Sequence, residues 1–155
     1  MKRYASWLIL VALLFTASIR TSAKGNDQPK YKVVEVKHLT KADSVSATDK
    51  YLSDSYDYLR EDLAKTGIFG TVVEDGGAIT DTDAPNAVVL ECKIIKYSCA
   101  WGCSFRAEVT LSSRGDHKVI KQFTTHELNL NGSWGGHHAE NTGRGIAWEI
   151  KRNLK

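Results

Sequence analysis

The chain has 155 residues, a quarter of them charged, with 21 Lys and Arg against 18 Asp and Glu. That length suits one hydrophobic core, and with two prolines and no repeat or low-complexity tract there is no linker at which to divide it. The basic excess belongs to the first 23 residues, which carry Lys2, Arg3 and Arg20 and no acid; the rest balances at 18 against 18, which excludes the basic footprint of a nucleic-acid binder.

Those first residues read as a cleavable secretory signal. Lys2 and Arg3 are followed by an apolar stretch from Ala5 to Ile19, and Thr21-Ser22-Ala23 offers small residues for a peptidase. The cut is expected after Ala23, with Ala17 as the alternative. The apolar run stops at Arg20, short of the ~20 residues that a spanning helix needs. Lys24, not cysteine, would begin the mature chain, so no lipid anchor is expected after cleavage. The protein is therefore expected in the periplasm or secreted. Residues 24–30 read as a flexible lead-in, and 31–155 as a single domain.

Tyr31 to Leu39 predicts a strand, with Val33, Val34 and Val36 supplying β-branched bulk. After a polar loop at 40–47, Leu52, Tyr56, Leu59 and Leu63 recur on one helical face and predict a helix over 48–66. Ser46 or Thr48 can cap its start, and Gly67 suits its end. Ile68 to Glu74 predicts a strand, and an acidic, glycine-bearing loop leads to Asn86. Alternation in 87–97 (Val88, Leu90, Cys92, Ile94) and 104–113 (Phe105, Ala107, Val109, Leu111) predicts two half-buried antiparallel strands. A strand over 118–130 follows, its phase left open by the adjacent Val119 and Ile120. A glycine-rich loop at 131–140 precedes a helix over 141–154, striped by Gly143, Ile146, Ala147, Ile150 and Leu154. The expectation is an α+β fold: a mainly antiparallel sheet of four to five strands, with two helices on one face, in the order β-α-β-β-β-β-α.

Cys99 and Cys103 flank the connection between the two alternating strands, and in an oxidising compartment they are expected to pair. Their spacing is one residue longer than the thioredoxin-type motif. Cys92 reads as a buried small hydrophobe. Trp101 lies between the paired cysteines and Trp134 in the glycine-rich loop. Large rings on loops cost free energy unless they pack or bind, so these two are the candidate binding surface. His126, His137 and His138 are the alternative: a small secreted metal-binding protein or enzyme, if the fold gathers them. No nucleophile elbow or phosphate loop is present, and no cofactor is called for. Charge is uneven: residues 40–85 carry ten acids against four bases, and 86–155 six against ten.

The joint Leu63-Ala64-Lys65-Thr66-Gly67-Ile68-Phe69, with the terminal helix from Thr142 to Leu154, resembles small Gram-negative envelope proteins. These include uncharacterised periplasmic domains and lipoproteins similar to curli-secretion and lipopolysaccharide-assembly components. The resemblance implies a structural or binding module, not an enzyme, with an envelope or secreted protein as partner. The chain departs from the lipoproteins in lacking the lipid-bearing cysteine. A secreted effector or inhibitor is the further alternative.

Overall fold

A computed structural model describes residues 28–99, 103–130 and 137–155; the expected signal and most of the lead-in lie outside them. β1 (Tyr31–Val36) is followed by the short β2 (Thr40–Lys41), α1 (Asp49–Lys65) and β3 (Phe69–Val73). After the loop over 74–86 come β4 (Ala87–Cys99), β5 (Cys103–Ser113), β6 (Val119–Thr124), β7 (Leu128–Asn129) and α2 (His138–Leu154). The fold is α+β.

α1 begins where the sequence places it. The Thr48 side chain accepts a hydrogen bond from the Tyr51 amide, and Asp49 sits in the positive first turn. Leu52, Tyr56, Leu59 and Leu63 are all buried, and Gly67 takes the left-handed φ of 74° that ends the run. α2 starts three residues earlier than expected. The Gly143-Arg144-Gly145 segment thus lies inside the helix rather than at its start, and its glycines serve packing.

The sheet is larger than the expected four to five strands and is mixed, not mainly antiparallel. Among the described residues it has seven strands, five along the path β3-β1-β4-β5-β6, with β2 paired to β4 and β7 to β5. β1 runs parallel to both β3 and β4, while the β4–β5 and β5–β6 pairs are antiparallel. The reason is α1: a helix between two strands carries the chain back to its starting end, so β3 enters beside β1 in the same direction. The loop over 74–86 makes a second return for β4. The last expected strand is broken between Thr124 and Leu128. There the Thr125 side chain accepts from the Ala107 amide, replacing a ladder bond. β6 bulges where two apolar residues are adjacent: Leu111 faces Lys121 and Ser112 faces Val119, which leaves Ile120 as the extra residue.

One core unites Val34, Val36, Leu90, Ile94, Phe105 and Leu111 of the sheet with Leu59 and Leu63 of α1 and Ile146 and Ile150 of α2. Both helices therefore cover the same face. The other face carries Glu91, Lys93 and Glu108, and the loop over 74–86 reaches it through the Gly76 amide bonded to Glu35.

Candidate functional site

The Cys99–Cys103 disulfide closes the β4–β5 hairpin at one end of the sheet. Trp101 lies between these cysteines, and Trp134 lies in 131–136; both are outside the described residues. What anchors them is described. β7 pairs with Ser104 and Phe105 at the base of the hairpin, and the Leu130 amide donates to the Cys103 carbonyl at 2.6 Å. His138 Nε2 lies 4.0 Å from Cys103 Sγ. Cys103 is thus bonded to Cys99 through its sulfur and to Leu130, at one flank of 131–136, through its carbonyl, and His138 near the other flank lies beside its sulfur. The two tryptophan-bearing segments leave from, and return to, one end of the molecule.

The surroundings are aromatic. The rings of Tyr51 on α1 and Tyr97 on β4 lie 4.9 Å apart, and the Tyr51 hydroxyl shares a hydrogen bond with Thr142 of α2. Burial pushes the Tyr51 phenol up to about 12, so it stays protonated at physiological pH. This pair ties the N-terminal ends of both helices to the hairpin and gives the end a firm floor.

The three histidines have separate partners. His126 Nδ1 is 3.4 Å from Glu149 Oε2, His137 Nδ1 is 3.0 Å from Glu140 Oε2, and His138 faces Cys103. Among the described residues, no group of three or more His, Cys, Asp or Glu side chains has a metal-holding arrangement. Cys92 is the free, buried cysteine among the described residues, and burial pushes its thiol up to about 12. A thiolate is the reactive form, so this cysteine is inert near neutral pH.

One charged cluster escaped the sequence reading. Glu35 lies in β1 among valines with its side chain 4% exposed, and it contacts Lys37 at 2.6 Å, Arg114 at 3.2 Å and the Gly76 amide. Burial alone would raise its carboxyl. The Lys37 and Gly76 hydrogen bonds and the Lys37 and Arg114 charges outweigh burial and hold it below its ordinary value. Asp75 is held low as well, first by its hydrogen bond from Lys37. The signal was there: an acid inside a β-branched run, two residues from a lysine.

Opening the disulfide is a stability test of this end. Its ring is so small that the chain-entropy model gives about 2 kcal/mol. Cys99→Ser with Cys103→Ser should lower the denaturant midpoint by that order, with m unchanged.

Neither a protein-family model nor a curated protein sequence matches the chain. Solved structures match its shape. A PelC dodecamer from Paraburkholderia phytofirmans is 12% identical with a TM-score of 0.54, over 82% of this chain and 90% of that one. A Xanthomonas campestris protein of the DUF330 family is 11% identical with a TM-score of 0.52, over 84% and 85%. An uncharacterised protein is 13% identical with a TM-score of 0.54, over 80% and 92%. The chain shares their fold. Among the described residues, no helix is long and apolar enough to cross a membrane.

Proposed function

We propose that this chain is an exported, non-catalytic binding or accessory module of the bacterial cell envelope, working in the periplasm or outside the cell. It meets a protein partner through Trp101 and Trp134 at the disulfide end of the sheet. The supporting observation is the convergence on Cys103, which is bonded to Cys99 and to Leu130 and lies beside His138, so that the flanks of both tryptophan-bearing segments meet at one residue. Aromatic anchors on a rigid base lose little conformational freedom on binding, which is why such residues dominate interface energetics.

The test is capture of partners from the native envelope by the wild-type protein and by Trp101→Ala with Trp134→Ala. A specific partner should be recovered by the first and reduced at least tenfold with the second, since each buried anchor contributes at least about 2 kcal/mol. Tyr58→Ala, an exposed ring on α1, should leave capture unchanged. The captured native protein should begin at Lys24 by mass. Equal recovery by wild type and double variant would count against the tryptophan surface. A retained Met1 would count against export.

A further inference from the structure

α2 carries a second surface, unrelated to the disulfide end. Its three exposed residues are Arg144, Trp148 and Arg152, spaced i, i+4 and i+8 along a single outer ridge. Trp148 is 54% exposed, and the Arg152 guanidinium lies 4.9 Å from its ring centroid. Beside it lies a hollow of about 210 Å³ walled in part by Lys65, Arg144 and Lys151. Asp62 in its wall is bonded to Lys65 and Arg144; Arg144 also pairs with Glu140 at 2.6 Å, and Arg152 with the buried Glu149 at 2.9 Å. Lys151 and Lys155 have no ion pair among the described residues and extend the positive strip to the helix end.

We infer that this Arg-Trp-Arg ridge docks the protein on an anionic phospholipid surface, the indole entering the headgroup layer and Lys151 and Lys155 at the helix end meeting phosphates. The ridge spans about 12 Å of helix. Tryptophan beside arginine and lysine is the side-chain chemistry of a membrane interface. This goes beyond the partner surface proposed above and stands or falls without it.

The protein, purified in its exported form, is sedimented with vesicles of pure phosphatidylcholine and with vesicles containing phosphatidylglycerol. It should pellet with the anionic vesicles alone, and a blue shift in tryptophan emission should accompany binding. Lys151→Glu with Lys155→Glu should weaken binding by more than roughly fivefold for each charge. Trp148→Ala should abolish most of the emission shift, and about 0.5 M salt should release the protein. These positions lie on the surface, and circular dichroism checks that the variants fold. Equal binding to neutral vesicles, binding that the variants leave unchanged, or binding to a soluble acidic polysaccharide with none to vesicles would overturn the inference. The salt and lipid arms need only the wild-type protein.

Discussion

Gly143→Ala is expected to destabilise the fold by about 3 kcal/mol or more, lowering Tm by on the order of 10 °C. Gly143 of α2 packs directly against the backbone of α1. A methyl group there would lie 2.6 Å from both the Leu59 amide nitrogen and the Ser55 carbonyl oxygen, and 2.7 Å from Tyr58 Cβ. The first two are backbone atoms inside a helix, so no rotamer change relieves the contact. The helices must part, and each then lifts from the core that holds Leu59 and Ile146. Gly145→Ala is the control. Its added methyl would meet the ends of the Leu128 and Phe105 side chains, at 3.0 and 3.4 Å, which can give way. Alanine also gains about 1 kcal/mol of helix propensity over glycine at either site. Gly145→Ala should therefore stay within about 1 kcal/mol of wild type. Chemical denaturation of the two variants side by side reads the difference directly.

Glu35→Ala should cost about 3 kcal/mol at neutral pH, the low end for breaking a buried pair, because Lys37 and Arg114 are partly exposed and can recover water. The pH dependence has a definite sign. The Glu35 and Asp75 carboxyls titrate lower in the folded chain than in the unfolded one, where their ordinary values are 4.5 and 3.8. The unfolded chain therefore binds protons first on acidification. The stabilisation is full above about pH 4.5 and drains away as pH falls through the folded values. Thermal melts should show Tm falling on acidification below that point, with a shallower fall in Glu35→Ala. An identical acid slope in the variant would mean that other carboxylates carry it.

Much of the fold is legible because burial has a period. The four apolar positions predicted for α1 all face the core, and the predicted alternation matches the buried positions from Leu90 to Ile94 in β4 and from Phe105 to Leu111 in β5; Val89, on the other face of β4, is buried as well. Strand direction has no such signature. Val33, Val34 and Val36 would look the same in a parallel or an antiparallel pair, so the parallel neighbours of β1 were hidden. So was β2, whose two residues are too few for any period. At the candidate site, the cysteine pair was readable from its place at a hairpin end and the compartment expected from the sequence. Its meeting with His138 was not, because 34 intervening residues separate Cys103 from it and only the return of α2 brings the two together. Trp148 was silent for a related reason. The apolar stripe of α2 excludes it, but only the packed helix shows that every other neighbour on its outer ridge is an arginine.

The most direct measurement is site-specific photocrosslinking in the native envelope. A photoreactive residue is placed at Trp101, at Trp134, and at Asp57 on the exposed side of α1. One shared adduct from Trp101 and Trp134, absent from Asp57 and lost when the Cys99–Cys103 bond is reduced, is the result this account predicts. Different adducts from the two tryptophan positions, or the same adduct from Asp57, would contradict a single contact surface at the disulfide end.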